Sequence, residues 1–227
     1  MGRVLTGVAL YFTVLGVAGA GQGPEAGTIT GLVRLTTRVR GTPLPSNVYP
    51  SRSVGRHEAG TTPEIKNVVV YLTGVTSRGP LTPSRHAIRQ EHEAFVPRVL
   101  AITRGSTVDF PNADPYFHNV FSLSSAGTFN LGRYPKGETK GREFTKPGLV
   151  KVYCNIHSHM SASILVLDHP YFTIPELDGT FKLSNVPPGR YTIVGWHERV
   201  GERTSPILVQ AGGLSTIELS LPIEDAP

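Results

Sequence analysis

The chain has 227 residues and a formal net charge of +5, a size that allows one large domain or two small ones. Its basic side chains are concentrated in residues 27–168 but form no single run with interleaved aromatic residues, which argues against nucleic-acid binding. The 25 glycines and 19 prolines, with no sustained helical periodicity, predict a turn-rich all-β protein.

The first 20 residues have the pattern of a secretory signal peptide. Arg3 supplies a positive charge, residues 4–17 are mostly apolar, and Ala18-Gly19-Ala20 forms a small-residue cleavage site. The apolar stretch is too short for a membrane span, and no later segment reaches a spanning length. The sequence therefore predicts a protein secreted after cleavage near Ala20, into the periplasm if the organism is bacterial.

Most of the remaining chain is predicted to form short β-strands. A strand is predicted at residues 28–34, then a long polar excursion over 35–65, then a β-branched strand at 65–72. Further strands are predicted at 87–91, 98–103, 106–110, 119–123, 142–145, 149–154 and 162–167. A glycine-containing loop is predicted after residue 123, through Lys136 and Gly137. Short strands at this spacing are typical of a sandwich or a Greek-key barrel.

The segment VYCNIHSHMSASILVL, residues 152–167, gathers the rare sulfur side chains. It holds the only cysteine, Cys154, and the only methionine besides Met1, Met160, with His157 halfway between them. A thiolate and an imidazole are strong copper ligands, and a thioether suits a long axial bond. A second imidazole is available at His118, in FPNADPYFHNVFS. Two His and one Cys with an axial Met are the ligands of a blue-copper electron-transfer site.

Other interpretations of these side chains fit less well. If Cys154 were an inert core thiol, Met160 a core filler and His157 a surface residue, their ligand spacing would be accidental. Zinc is disfavoured because methionine is a poor zinc ligand. A single cysteine has no partner for an internal disulfide in an oxidising compartment, so it is buried and inert, paired between chains or bound to something. The histidine and methionine nearby favour a bound metal ion.

The pattern His118-Asn119-Val120 followed by Cys154-x-x-His157-x-x-Met160 resembles the cupredoxin family, with a short ligand loop of the amicyanin and plastocyanin kind. The resemblance covers residues 84–168. It implies a Greek-key β-sandwich that holds one type 1 copper ion between His118, Cys154, His157 and the axial Met160. Electrons would enter through the exposed edge of His157.

The resemblance also implies roles for residues around the ligands. In the family, the backbone N–H of the residue at Asn119 points at the cysteine sulfur, and its side chain ties the two ligand segments together. Ile156 stands where many relatives have proline, so its N–H is a second potential donor to the thiolate. Such hydrogen bonds favour the reduced metal and raise its potential.

Several histidines and aromatic residues near the motif have open roles. His159 either competes with Met160 as a ligand or faces outward beside His157, where it would contribute to docking. His169 and His197 are predicted to be surface residues, or to lie where two domains meet. The aromatic residues around His118 either form an apolar collar that keeps water from the metal or are ordinary core residues: Tyr116, Phe117 and Phe121.

Two flanking segments, GTITGLVR near the start and DGTFKLSNVPPGRYTIVGW near the end, resemble the transthyretin-like β-sandwich of carboxypeptidase regulatory domains. This module would comprise residues 27–73, with the polar loop 35–65, and residues 171–222. The copper domain is either inserted into it or placed in series with it. The resemblance implies no catalytic residues, and some relatives bind carbohydrate.

The favoured function is that of a secreted type 1 copper protein that carries single electrons between redox partners. An acidic docking face is expected on the partner, because the copper segment is basic. The alternative is a transthyretin-like binding or scaffold protein, in contact with carbohydrate or a cell surface, with copper as a structural or stored ion. An enzyme is not expected, since four protein ligands leave no open position for a substrate.

Overall fold

The computed structural model describes residues 25–36, 63–77 and 79–223, and these form β-strands and one 3₁₀-helix, Glu64–Asn67. The predicted all-β class is confirmed. The strands are β1 (Gly27–Leu35), β2 (Val68–Thr73), β3 (Arg85–Ala87), β4 (Arg89–Glu91), β5 (Ala94–Val96), β6 (Val99–Thr103), β7 (Ser106–Pro111), β8 (His118–Ser124), β9 (Gly127–Tyr134), β10 (Thr139–Phe144), β11 (Gly148–Tyr153), β12 (Ser161–Leu167), β13 (Phe172–Thr173), β14 (Thr180–Val186), β15 (Gly189–His197), β16 (Gly201–Val209) and β17 (Leu214–Leu221).

Two predicted segments fall largely outside this description. The signal peptide over residues 1–20 and most of the polar excursion 35–65 lie outside the described residues. Within the described part of the chain, no helix has the length and apolar character needed to cross a membrane.

Strands β3 to β12 form two facing sheets and a small ribbon. One sheet has the order β10-β7-β3, the other the order β6-β12-β11-β8-β9, and β4 pairs with β5. Apolar side chains from both sheets fill one core, among them Ile102, Phe110, Val120, Phe144 and Ile164. This core also contains Cys154 and Met160, so both ends of the predicted ligand loop are packed in the core.

The remaining strands form two further sheets, with the orders β14-β1-β17 and β13-β2-β15-β16. Strand β1 lies antiparallel to β14 and parallel to β17, and β2 lies antiparallel to β13 and β15. Strands from before and after the β3–β12 segment therefore pair with each other. The transthyretin-like character of these sheets and the division into domains remain predictions.

Strand β2 has an apolar sequence because both of its faces are buried. Val68, Val70 and Leu72 pack into the core between the three-stranded and four-stranded sheets. Val69 and Tyr71 point the other way, because successive side chains of a strand face opposite sides. They belong to a third core, to which β12 contributes Leu165 and Leu167 from the face that points away from the first core.

A polar cluster borders this third core around Glu198, whose side chain is almost fully buried. Arg98 forms an ion pair with one carboxylate oxygen, and Lys151 Nζ lies 3.3 Å from the other. Ser163 Oγ donates a 3.1 Å hydrogen bond to the same carboxylate. The Lys151 ammonium also lies 5.9 Å from the ring centre of Trp196. These contacts join the five-stranded sheet to the end of β15.

Two predicted elements are corrected by the structure. Residues 65–67 belong to the 3₁₀-helix, where the Asn67 amide donates a 3.0 Å hydrogen bond to Glu64, a local contact that competes with extended backbone. The segment after residue 123, predicted as a loop, forms a hairpin in which β9 pairs with β8. Its glycines obscure the alternation in the sequence, although Phe129 and Tyr134 are buried. The short strands β5 and β13 were also not predicted from the sequence.

Candidate metal centre

The predicted copper ligands meet at one end of the five-stranded sheet. His118 is the first residue of β8, and Cys154 directly follows β11, which pairs with β8 through Tyr153 and Phe121. His157 lies in the seven-residue connection between β11 and β12. The antiparallel pairing of neighbouring strands thus brings together side chains that lie 36 positions apart in the sequence.

The donor atoms of His118, Cys154 and His157 lie within 4.8 Å of one another. His118 Nδ1 is 3.9 Å from Cys154 Sγ and 3.0 Å from His157 Nδ1. Metal–nitrogen bonds of about 2.0 Å and metal–sulfur bonds of about 2.3 Å place ligand atoms of one ion roughly 3 to 4 Å apart. Two imidazole nitrogens whose lone pairs face each other at this distance need a proton or a cation between them. The three side chains therefore fit a bound metal ion.

The softness of the donors favours copper among common metal ions. Two imidazoles with one thiolate suit copper, and the His118–Cys154–His157 group contains no carboxylate ligand, the type that magnesium and calcium prefer. His118 and Cys154 are buried, and His157 is half-buried. Two of the three side chains are thus shielded from solvent, and solvent or a partner reaches the site at the imidazole of His157.

Backbone hydrogen bonds close the ligand loop. The N–H of Met160 donates to the carbonyl of His157 at 3.0 Å, and the N–H of Cys154 donates to the carbonyl of Met160 at 3.4 Å. Met160 is 1% exposed and belongs to the same core cluster as Cys154. The structure thus places Met160 in the core at the end of the loop, and its role as axial ligand remains a prediction.

The surroundings of Cys154 favour the thiolate. Burial alone would raise the pKa of the thiol, but the His118 side chain and three backbone N–H groups oppose it and bring the pKa down to about 6. The backbone donors are Asn119, His157 and Ile156. Two of these are the donors that the sequence predicts, and the N–H of His157 is an additional one. A thiolate stabilised in this way is ready to bind a metal ion near neutral pH.

The side chain of Asn119 joins the two ligand segments. Its Oδ1 accepts a 2.8 Å hydrogen bond from the N–H of Asn155, and its Nδ2 donates to Asn130 Oδ1 at 3.1 Å. Asn119 itself is buried, whereas the side chain of Ile156 is exposed. The residues that follow the predicted ligands His118 and Cys154 are thus hydrogen-bonded to each other.

Sequence reasoning missed Asp114, which contacts His118 from behind. Asp114 Oδ2 lies 2.9 Å from His118 Nε2, and both side chains are buried. Because Nε2 faces the carboxylate, Nδ1 is the nitrogen available on the side of Cys154 and His157. The spacing D-x-x-x-H within FPNADPYFHNVFS is the signal that the sequence offered for this pair.

His159 lies on the surface, outside the His–Cys–His group. Its side chain is 59% exposed, and its Nε2 is 3.4 Å from Glu93 Oε2. The His159 ring centre lies 6.1 Å from that of His157. The side chain of His159 therefore lies beside the half-buried His157 and contacts the acidic Glu93.

The surface positions predicted for His169 and His197 are wrong, since both side chains are buried. On β15, His197 faces the same side as the buried Ile193, and its Nε2 contacts Glu64 of the 3₁₀-helix at 3.0 Å. Burial lowers the pKa of His197. His169 accepts a hydrogen bond from the N–H of Tyr171 at 3.2 Å and stacks on its ring.

The predicted aromatic collar is only partly assembled. Tyr116 and Phe117 are exposed, and the Tyr116 ring lies edge-on to His157 with ring centres 6.4 Å apart. Phe121 contacts Tyr153, with ring centres 5.9 Å apart. Aromatic side chains thus border the site on the surface side.

Comparison with known proteins gives partial similarities. No family model matches the sequence, and no curated protein matches it. Among solved structures, a Cu-containing nitrite reductase from Thermus scotoductus SA-01 is 28% identical over 41% of this chain, with a TM-score of 0.34. The chain spans only 24% of that nitrite reductase.

Two smaller proteins are matched over most of their length. A purple cupredoxin from Nitrosopumilus maritimus is 24% identical over 36% of this chain and 99% of its own, with a TM-score of 0.33. A reduced amicyanin variant is 21% identical over 37% of this chain and 82% of its own, with a TM-score of 0.34. The chain is thus similar, over part of its length, to proteins named as cupredoxins and copper proteins.

Proposed function

We propose that this protein is a type 1 copper protein that carries single electrons by cycling one ion between Cu(II) and Cu(I). The observation that supports it is the convergence of His118 Nδ1, Cys154 Sγ and His157 Nδ1 within 4.8 Å at a shielded edge of a β-sheet. This donor set matches the equatorial ligands of blue-copper sites, and Met160 supplies the weak axial thioether.

Electron transfer suits this site better than catalysis. The proposed ligands lie at the start of β8 and in the short connection after β11, and hydrogen bonds from Asn155 to Asn119 and from Met160 to His157 fix these segments. Fixed ligands change little between oxidation states, so little reorganisation opposes electron transfer. With Met160 bound, the ion has no open position for a substrate, and we therefore do not propose an enzymatic activity.

The surface beside His157 suits a protein partner with an acidic docking face. Tyr116 and Phe117 expose aromatic surface there. Arg133 pairs with Asn119 in the β8–β9 ladder, and its side chain is exposed. Lys136 is also exposed. It precedes Gly137, whose backbone N–H donates a hydrogen bond to the carbonyl of Asn112. Exposed basic side chains such as Arg133 and Lys136 would steer an acidic partner towards the half-buried imidazole of His157.

Secretion completes the proposal, because the first 20 residues carry the signal-peptide pattern. Compartments outside the cytoplasm are oxidising, and a lone cysteine with a pKa near 6 is reactive there as a thiolate. A bound metal ion would occupy its sulfur.

Repeated redox cycling tests the function. The copper-loaded protein is reduced with ascorbate and reoxidised with ferricyanide while its visible absorption is followed. We expect loss and full recovery of an intense visible band over many cycles, without release of copper to a chelator. Copper that binds without colour, or that leaves the protein on reduction, would contradict an electron carrier.

A second candidate function rests on the outer face of the β14-β1-β17 sheet. A groove of about 540 Å³ is lined there by Thr30, Leu32, Thr180, Thr216 and Glu218, among others. Hydroxyl groups beside a carboxylate suit the polar groups of a carbohydrate. Under this alternative the protein is a binding or scaffold module whose copper is structural or stored, and colourless copper binding together with affinity for a polysaccharide would favour it.

A further inference from the structure

The carboxylate of Asp114 connects His118 to a distant hairpin turn. Its Oδ1 accepts a 2.6 Å hydrogen bond from the backbone N–H of His92, and its Oδ2 accepts one of 2.8 Å from the N–H of Glu93. The same Oδ2 lies 2.9 Å from His118 Nε2. Three donors from two parts of the chain thus converge on one buried carboxylate.

The turn has a conformation that presents both donors together. His92 and Glu93, the two residues between β4 and β5, have φ values of 55° and 54°. Left-handed backbone at both central positions is the geometry of a tight hairpin turn, and residues other than glycine adopt it at some cost. Here the two N–H groups of the turn bind the Asp114 carboxylate in return.

The base of this hairpin is attached next to the ligand segment. The carbonyl of Gln90 accepts a hydrogen bond of 2.9 Å from the N–H of Ala113, and Gln90 Nε2 donates to Tyr134 Oη at 2.7 Å. Tyr134 lies directly opposite His118 in the β8–β9 ladder. The turn also reaches the second ligand loop, because Glu93 contacts His159 at 3.4 Å.

We propose that the His92–Glu93 turn, acting through Asp114, positions His118 for the metal. The inference rests on the proposed copper function and deepens it. A carboxylate that accepts from Nε2–H keeps the proton on that nitrogen and leaves the lone pair of Nδ1 on the side of Cys154 and His157. The turn therefore acts through its two backbone N–H groups, while the side chain of Glu93 contacts His159, which lies outside the His–Cys–His group.

The first test replaces the carboxylate. Asp114→Asn keeps the size of the side chain but cannot accept from all three donors, and Asp114→Glu serves as the variant that retains the charge. We expect Asn to weaken copper binding about 10- to 100-fold, as measured by competition with a chelator. We also expect a changed copper hyperfine splitting in the EPR spectrum and a higher reduction potential, with partial rescue by Glu. Wild-type affinity and an unchanged EPR spectrum for Asn would overturn the proposal.

The second test strains the turn itself. His92→Val places a β-branched residue at a φ of 55°, and Asn185→Val does the same at a φ of 58° in β14, outside the sheets that hold the ligands. Both variants should unfold at a lower temperature than the wild type. Only His92→Val should also lose copper affinity. Equal copper affinities for the two variants would show that the turn does not control the site.

The metal-free protein separates this inference from the proposed function. Nitrogen-15 NMR of the histidine side chains reports which nitrogen of His118 carries the proton. We expect a protected Nε2–H in the wild type that is lost in Asp114→Asn. If the wild type shows no blue-copper spectrum, the proposed function fails while this readout still tests the hold of Asp114 on His118. If the wild type shows a blue-copper spectrum, but Asp114→Asn changes neither the copper affinity nor the Nε2–H signal of His118, only the positioning role is wrong.

Discussion

The backbone N–H of Asn155 donates a 2.8 Å hydrogen bond to Oδ1 of Asn119. The two residues directly follow the predicted ligands Cys154 and His118, which lie 36 positions apart in the sequence. The contact therefore fixes the separation of the two ligand segments independently of any metal ion. The backbone N–H of Asn119 also contributes to the low pKa of the Cys154 thiol, so one residue serves both segments.

Asn119→Ala should loosen the site. The change removes the acceptor of the Asn155 N–H, a loss of about 0.5 to 1.5 kcal/mol for a part-buried hydrogen bond. We expect lower thermal stability and faster loss of copper to a chelator. Asn130→Ala is the matched control, since it removes the partner of Asn119 Nδ2 and leaves the Asn155 contact in place. Equal rates of copper loss in the two variants would argue against the role of the contact.

Replacing Met160 should affect copper less than replacing either histidine. Met160→Leu conserves volume in the core and costs less than about 1.5 kcal/mol of stability, while it removes the thioether. We expect copper to remain bound, with an altered visible spectrum and reactivity, whereas His118→Ala and His157→Ala lose most of the band. Absorption and EPR spectra of the three variants check this. Equal damage in all of them, or no change in Met160→Leu, would be incompatible with an axial ligand.

The core between the four-stranded and five-stranded sheets should contribute substantially to stability. Leu165 of β12 is 7% exposed there, and its replacement by Ala should cost about 2 to 5 kcal/mol. Leu123 is 78% exposed, and Leu123→Ala should stay within about 0.5 kcal/mol of the wild type. Urea unfolding measures both. A small effect of Leu165→Ala would mean that the two sets of sheets do not depend on each other for stability.

Acid should weaken the contact between these sheets. Burial alone would raise the pKa of Glu198, but its contacts with Arg98 and Lys151 outweigh burial and lower it below the ordinary value. The folded state therefore binds fewer protons than the unfolded state at this residue. Its contribution is complete above the ordinary pKa of about 4.3 and is lost as the pH falls through the lower folded value.

Glu198→Gln should accordingly lower the free energy of unfolding at pH 7 by about 1 to 3 kcal/mol and reduce its decline in acid. Urea unfolding between pH 7 and pH 3 measures both effects. Glu176→Gln is the control, because its pair with Lys66 is exposed and such pairs contribute about 1 kcal/mol or less. A pH dependence in Glu198→Gln as steep as that of the wild type would exclude this residue as its source.

The strands that carry the site were predictable because their side chains alternate. Strand β12 shows Ala162, Ile164 and Val166 on one face and Leu165 and Leu167 on the other, which marks a buried strand in the sequence alone. The ligand motif was visible because cysteine and methionine are rare in this chain. Strand β9 was missed, since glycines at positions 127 and 132 interrupt its alternation and pairing with β8 decides its structure.

Contacts between distant residues account for the other failures. The burial of His197 depends on Glu64, 133 positions earlier, and the role of Asp114 depends on a turn more than 20 positions earlier. The local sequence has no glycine or asparagine to mark the left-handed backbone of His92 and Glu93, whose N–H groups bind Asp114. The predicted ligands could therefore be chosen from the sequence, whereas the contacts of Asp114 behind His118 could not.

The absorption spectrum of the Cu(II)-loaded protein, recorded beside that of Cys154→Ser, tests the central claim most directly. The thiolate supplies the charge-transfer band of a type 1 site, and serine keeps the size of the side chain without that sulfur. The account predicts an intense visible band in the wild type and its absence in Cys154→Ser, with the same β-sheet circular dichroism in both. A colourless wild-type complex, or an intense band that survives in Cys154→Ser, would contradict it.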